Sequence, residues 1–195
     1  MKIEDYRDAI AALVPFYDEA GGNATRIFTT TGEVIEDRRT LRWIIRKLAR
    51  IYAIDLEALR QNYGKHLYLS QGVPLPFSKR LVFVPLKFRR VIGENDGAGG
   101  YVNICAVEKV EDYSDGDASY KSRIYLSGNQ VIPCLFTRKT VERRLRSGDH
   151  AYERYISNNK SGYYTSGLVK ESTCEDVIPP ELLIAMGKLF LKSLS

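Results

Sequence analysis

Short runs of aromatic and β-branched residues follow one another from residue 66, and this pattern constrains the fold more than any other feature. Clusters of Gly, Pro, Asn and Asp separate the runs, as expected for strands joined by turns. The turn SGNQ at 127–130 lies between two of them and predicts a β-hairpin. The runs are HLYLS, RLVFVPLKF, GYVNICAVEKVEDY, SRIYLS and QVIPCLF. Helical patterns lie before and after this region, so the sequence predicts an α+β fold with a mainly antiparallel sheet.

Apolar residues at helical spacing predict the helices that pack on this β-rich module. Asp55 is a suitable N-cap for one of them, and Gly64 is a suitable residue just past its end. TRIFT at 25–29 and EVI at 33–35 predict a short hairpin between the N-terminal helices. The predicted helices cover residues 3–19, 39–52, 56–63, 137–146 and 180–194.

The 195 residues are predicted to form a single α+β domain. Its parts are a helical region at about 1–64, a β-rich region at about 65–146, a mobile polar segment at about 147–174 and a C-terminal helix at about 180–194. No apolar run reaches the roughly 20 residues that cross a membrane. The acidic N-terminus is also unlike a secretion signal. We therefore expect a cytoplasmic protein without a membrane partner.

Residues suited to catalysis or metal binding are sparse. His66 and His150 have no partner at metal-ligand spacing. Cys105, Cys134 and Cys174 are odd in number and widely spaced, which argues against a disulfide framework and a structural zinc site. We expect no enzymatic activity, no cofactor and no metal.

One enzymatic alternative stays open. Carboxylates between residues 108 and 117, with Lys109 or Lys121 nearby, could hold Mg²⁺ in a metal-dependent nuclease. The same residues also fit a strand end followed by the turn YSDGDAS. The nuclease hypothesis predicts Mg²⁺-dependent loss of DNA that vanishes when Asp112 or Asp115 is neutralised.

Positive charge is distributed unevenly along the chain. The net charge is +5, yet residues 38–50 hold six Lys and Arg and no acid, and residues 79–90 hold five and no acid. Residues 138–146 hold five, with Glu142 as the one acid. Three such segments on one face would favour a polyanionic partner. The alternative is that these side chains only keep the protein soluble.

The helix predicted at 39–52 carries the single tryptophan on its basic side. Its apolar stripe fits a protein core, whereas Trp43 projects among Arg39, Arg46, Lys47 and Arg50. An exposed ring there could stack on a base while the guanidinium groups neutralise phosphates. A ring tucked under the strands and covered by arginine stems is the other possibility.

The order of the β-rich segments resembles ComK, the competence transcription factor of Gram-positive bacteria. The resemblance covers roughly residues 25–150 and includes LVFVPLKF, GYVNICAVEKVED and SRIYLSGNQVIPCLFTRKTVERRL. The last of these, with GYVN, is also similar to the latter half of LytTR DNA-binding domains. VIGENDGAGG stands where that family has its basic stretch, so its mode of major-groove reading is not expected here.

The resemblance implies a bacterial transcription regulator, an activator of competence, that contacts the minor groove of A/T-rich duplex DNA as a dimer or higher homo-oligomer. The expected DNA-contacting residues form one composite basic face. They are Arg38, Arg39, Arg42, Trp43, Arg46, Lys47, Arg50, Lys87, Arg89, Arg90, Arg138, Lys139, Arg143, Arg144 and Arg146. Arg60, Gln61 and Asn62 on the next helix are further candidates for reading base edges. The alternative outside the enzymes is a protein-binding inhibitor or adaptor from a mobile element, with Trp43 as its hot spot.

Overall fold

The structure is a computed structural model that describes residues 3–93, 96–113 and 117–161. This part of the chain contains three α-helices and nine strands in two antiparallel sheets, which confirms the predicted α+β class. Three short 3₁₀ turns lie at Ile3–Asp5, Arg7–Ala9 and Ile104–Ala106. The helices are α1 (Leu41–Ile51), α2 (Leu56–Leu67) and α3 (Arg138–Ser161). The strands are β1 (Ile10–Tyr17), β2 (Asn23–Thr29), β3 (Val34–Asp37), β4 (Leu75–Ser78), β5 (Leu81–Lys87), β6 (Gly99–Asn103), β7 (Val107–Asp112), β8 (Ser122–Leu126) and β9 (Gln130–Cys134).

A six-stranded sheet with the order β3-β2-β1-β6-β5-β4 forms the centre of the fold. One of its faces carries α1, whose Ile44 and Leu48 share a buried cluster with Phe83. The other face carries the sheet β7-β8-β9 and α3, whose Val141 is buried in a second cluster with Val84. Because side chains alternate along β5, Phe83 and Val84 serve opposite cores. The helices α1 and α3 therefore cover opposite faces of the central sheet.

The helix predicted at 3–19 is wrong, because residues 10–17 form the inner strand β1 between β2 and β6. Ala11, Ala12 and Leu13 are all fully buried, since the strand is covered on both faces. A strand of this kind reads as a continuous apolar run, which can also match helical spacing. Pro15 fits at a point where β1 pairs with Thr25 of β2 but no longer with β6.

The other N-terminal predictions are confirmed, with shifted ends. The hairpin β2–β3 forms, α1 occupies the predicted span, and Asp55 caps α2 by accepting from two backbone amides. The helix α2 continues to Leu67, so Gly64 lies inside it and the predicted strand HLYLS is wrong. Tyr68 ends α2 in a left-handed conformation with φ of 55°.

The helix α3 is longer than predicted, and the mobile segment expected from residue 147 is helical as far as residue 161. Gly148 permits this because α3 passes close to the sheet. A Cβ at Gly148 would lie 2.6 Å from Val84 and 2.7 Å from Ile104. The rest of the predicted mobile segment and the helix predicted at 180–194 lie outside the described residues. No helix within residues 3–93, 96–113 and 117–161 is long and apolar enough to span a membrane.

Candidate nucleic-acid interface

The start of α1 is tied to the central sheet through β2. Thr40 is the N-cap, and its hydroxyl accepts from the backbone N–H of Trp43 at 3.3 Å. One residue earlier, the carbonyl of Arg39 accepts from the Thr25 hydroxyl at 2.9 Å. These bonds fix both the position and the direction of the first turn of α1.

A groove of about 840 Å³ lies between α1, the first turn of α2 and the central sheet. Pro15, Gly99 and Tyr101 contribute to its lining from the sheet. Gly99 contributes only backbone to this lining, and β1 pairs with β6 at Ala12 and Leu13. Tyr101 is half-buried, and its ring packs 5.8 Å from that of Phe83.

Four arginines from three parts of the chain line this groove. Arg42 and Arg46 come from α1, Arg60 comes from α2, and Arg89 follows β5. No acidic residue of the described chain lines the groove. A concave surface of one charge sign concentrates the field and attracts anions. Arg60 and Tyr101 also line a neighbouring depression of about 520 Å³ together with Lys65, so the basic surface extends beyond the groove.

Arg89 is held rigidly although it carries a charge. It is 9% exposed, and its guanidinium lies 4.0 Å from the centre of the Tyr17 ring. Nε donates to the carbonyl of Gly97 at 3.0 Å, and Nη2 donates to Oδ1 of Asn23. Nη1 is buried and donates to no acceptor among the described residues. Sequence reasoning selected Arg89 for its charge but not for this burial.

Asp96 completes the network beside Arg89. Its carboxylate accepts from the Tyr17 hydroxyl at 2.6 Å, from Nδ2 of Asn23 at 2.7 Å and from the N–H of Gly93 at 3.0 Å. Hydrogen bonds from Tyr17, Asn23 and Gly93 lower the pKa of Asp96 to about 2. The carboxylate is thereby occupied by these donors, although its charge also faces Arg89.

We expect the Asp96 carboxyl to titrate with a midpoint near pH 2 in a ¹³C NMR experiment, because three donors stabilise its charged form. Since the folded pKa lies below the ordinary value of 3.8, this network contributes stability above that value and loses it as the pH falls through about 2. Asn23→Ala removes one donor and should raise the midpoint. An unchanged midpoint in that variant would contradict the assigned network.

The remaining cations of 38–50 do not enter the groove. Arg39 pairs with the 9% exposed carboxylate of Asp37 and stacks 4.0 Å above the Trp43 ring. Lys47 pairs with Glu4 at 2.6 Å. Although burial of the Asp37 carboxyl favours its neutral form, hydrogen bonds from Arg39 outweigh burial and hold the pKa below its usual value. Two of the expected phosphate contacts, Arg39 and Lys47, are therefore already engaged by carboxylates. Arg38 and Arg50 are exposed.

Trp43 is 39% exposed and does not line the groove. It lies about 100° around α1 from Arg42, on the side where Lys47 meets Glu4. Its ring is therefore available to solvent, beside Arg46 at i+3 but outside the lining of the groove.

Trp43→Ala should change duplex affinity by no more than about threefold, as expected of a substitution away from the contact surface. The lost ring contact with Arg39 should lower the free energy of unfolding by about 0.5–1 kcal/mol. Fluorescence anisotropy with a labelled duplex and urea unfolding measure the two effects. A tenfold loss of affinity in a folded variant would instead place Trp43 in the interface.

The segment 79–90 contributes mainly Arg89 to the groove. Lys87 is exposed and lies 5.8 Å from the Phe136 ring, on the α3 side of the sheet. Arg90 is exposed, with its guanidinium 3.9 Å from the carboxylate of Asp117.

The basic residues of α3 lie on the other face of the central sheet, so the structure does not form the single composite face that the sequence predicted. The reason is that the apolar side of α3, including Val141, packs against the second core. Arg138 pairs with Glu142 at 2.7 Å. Nη1 of Arg144 donates to the carbonyl of Pro85 at 2.9 Å, and burial lowers the pKa of Arg144. Lys139, Arg143 and Arg146 remain exposed on a separate surface.

The residues required by the nuclease alternative show no metal-binding arrangement where they are described. Lys109 pairs with Glu111 at 2.8 Å. Within residues 3–93, 96–113 and 117–161, no three His, Cys, Asp or Glu side chains are grouped as metal ligands. Asp115 lies outside the described residues.

No protein-family model, no curated protein and no solved structure matches this chain.

Proposed function

We propose that the chain binds duplex DNA, with the arginine groove beside α1 as its main contact surface. The convergence of Arg42, Arg46, Arg60 and Arg89 in a groove without acidic lining residues in the described chain carries this proposal. Guanidinium groups match phosphate oxygens geometrically and remain charged at all physiological pH values. The Tyr101 ring adds an apolar surface against which a sugar or base can lie.

We also propose that this binding serves transcription regulation of the ComK type and involves no catalysis by this chain. The regulatory role, A/T-rich sites and a homodimer or higher oligomer come from the resemblance of residues 25–150. The groove is a separate argument for anion binding. This argument is independent of the resemblance because it depends only on the charge and position of the lining residues.

Anisotropy measurements with labelled A/T-rich and G/C-rich duplexes of equal length test the proposal. If four arginines neutralise phosphates, log K should fall with log salt with a slope of about −3.6 or steeper. The A/T-rich duplex should bind more tightly. Affinity that does not change with salt would contradict DNA binding through this groove.

The same samples separate the alternatives. Shortening of the duplex only when Mg²⁺ is present would favour the nuclease. Absence of duplex binding, together with a defined protein partner at stoichiometric ratio, would favour the adaptor. Light scattering coupled to size exclusion gives the oligomeric state with and without duplex.

A further inference from the structure

We propose that the arginine groove and the neighbouring depression form one track for a single, unpaired DNA strand, with one base stacked on Tyr101. The groove of about 840 Å³ lies beside α1, and the depression of about 520 Å³ lies beside α2. This inference rests on the proposed function because the same arginines would bind the phosphates. The ligand is different, since the bases of a single strand are not held inside a double helix.

Two residues join the groove to the depression. Arg60 and Tyr101 line both of them, so the two cavities meet at these side chains. Tyr101 is the one aromatic residue of the described chain that lines either cavity. The Phe83 ring lies 5.8 Å away at an angle of 55° and supports the Tyr101 ring from the core. A half-buried ring held in this way is a preformed surface for stacking.

The position of Tyr101 favours an unpaired base over a base pair. In a duplex each base is stacked on both sides, so a protein reaches only base edges and the backbone. The Tyr101 ring belongs to β6, on the sheet side of a groove that the helices α1 and α2 border. A base of a single strand can turn out of its stack and lie against such a ring.

Positive charge extends along the whole track. Arg42 and Arg46 line only the groove, Arg60 lines both cavities, and Lys65 lines only the depression. Because Arg42 and Arg46 are four residues apart on α1, their Cβ atoms are separated by about 5–6 Å. Proteins that bind single strands combine a basic groove for the backbone with aromatic rings for the bases. This track contains both.

The walls of the depression are fixed by contacts with the rest of the fold. The N–H of Leu69 donates to the carbonyl of Gly64 at 2.9 Å, which holds the loop after α2 against that helix. Nη1 of Arg144 donates to the carbonyl of Pro85 at 2.9 Å. Gly72, with φ of 71°, lies directly against the same guanidinium. The depression is therefore shaped before any ligand binds.

Hydrogen-bonding side chains surround the depression. Gln61, Ser70 and Gln71 line it and are exposed. None of the hydrogen bonds among the described residues uses these side chains. An amide offers both donors and an acceptor, and an unpaired base presents a free Watson–Crick edge. These groups can therefore bind a base beside the one stacked on Tyr101.

Anisotropy titrations of the full chain with a labelled oligothymidine strand, and with a labelled duplex of equal length, test the strandedness of the ligand. We expect the single strand to bind at least as tightly as the duplex at about 0.1 M salt. A single strand that binds more than about tenfold more weakly than the duplex would overturn this inference and leave the proposed function. Single-strand binding without duplex binding would overturn the duplex function and support the track. Binding of neither would overturn both.

Substitution of Tyr101 tests the stacking contact. Tyr101→Leu keeps an apolar side chain against Phe83 but removes the ring, so single-strand affinity should fall about tenfold or more. The slope of log K against log salt should stay the same, since no charge is lost. Tyr101→Phe keeps the ring and should bind like the unsubstituted protein.

Tyr68→Leu is the matched control, because Tyr68 is 95% exposed and lines neither cavity. It should leave single-strand affinity unchanged. Equal losses in Tyr101→Leu and Tyr68→Leu would overturn the stacking contact.

Photo-crosslinking of the unsubstituted chain keeps the test valid if Tyr101→Leu unfolds. An oligothymidine in which 5-iodouracil replaces thymine couples on irradiation with an aromatic side chain that stacks on it. Mass spectrometry of tryptic peptides should place the adduct on the peptide 91–109, whose one aromatic residue is Tyr101. Adducts found only on other peptides, such as the one that contains Trp43, would overturn the proposal.

Discussion

Replacing Arg42, Arg46 and Arg60 together by Gln should lower duplex affinity by roughly 10²–10³-fold at 0.1 M salt, because each lost phosphate contact removes a counterion-release term. The slope of log K against log salt should become shallower by about 2.7 for the same reason. All three residues are exposed, so the protein should remain folded. Anisotropy titrations over a range of salt concentrations measure both quantities.

A second triple variant provides a matched control. Lys139→Gln, Arg143→Gln and Arg146→Gln remove the same number of exposed positive charges from α3, on the opposite face of the central sheet. General attraction between a cationic protein and DNA falls equally in both variants. The α3 variant should therefore lose much less affinity than the groove variant. Equal losses would show that net charge, and not the groove, governs binding.

The sequence was sufficient for the fold class because the strands after residue 75 have clear turns between them. It failed at β1 for a physical reason. A strand buried on both faces lacks the alternation that distinguishes strands from helices, and β1 is buried in this way at Ala11, Ala12 and Leu13. Helical spacing in the same residues was accidental, and Pro15 was the signal against a helix.

The extent of α3 was missed because its middle is polar and contains a glycine. SGDH at 147–150 has the composition of a loop. In the structure Gly148 lies against Val84 and Ile104, where any side chain would collide. The contact with the neighbouring sheet explains why the helix continues there. Patterns of neighbouring residues in the sequence cannot predict a contact with residues so far away along the chain.

The candidate site was predictable in composition but not in position. Arg42, Arg46 and Arg89 were expected contacts, and the groove does contain them. The contribution of Arg60 from α2 and of Tyr101 from β6 depends on how α1 and α2 pack on the sheet. Likewise, α1 and α3 are separated because side chains alternate along β5. Phe83 packs in the core with α1, and Val84 packs in the core with α3.

The Asn103 side chain occupies a buried junction between strands, and its loss should be the most destabilising polar substitution in the fold. It is 2% exposed. Its Oδ1 accepts from the N–H groups of Val82 at 3.1 Å and Cys105 at 3.3 Å. Its Nδ2 donates to the carbonyls of Ile10 at 3.0 Å and Arg80 at 2.9 Å. A single amide thus uses all four of its hydrogen-bonding positions on backbone groups.

Asn103→Ala should lower the free energy of unfolding by about 4 kcal/mol, because it leaves several buried backbone groups without partners. Urea unfolding followed by far-UV circular dichroism measures the change. Asn62→Ala is the matched control, since Asn62 is exposed on α2 and should change the stability by less than about 0.5 kcal/mol. If the two variants unfold at the same urea concentration, water satisfies the backbone groups that Asn103 contacts. In that case the Asn103 side chain does not stabilise the contact between β1, β5 and β6. A large difference would show that one asparagine within the apolar run YVNICAV aligns β1, β5 and β6, the adjacent strands of the central sheet.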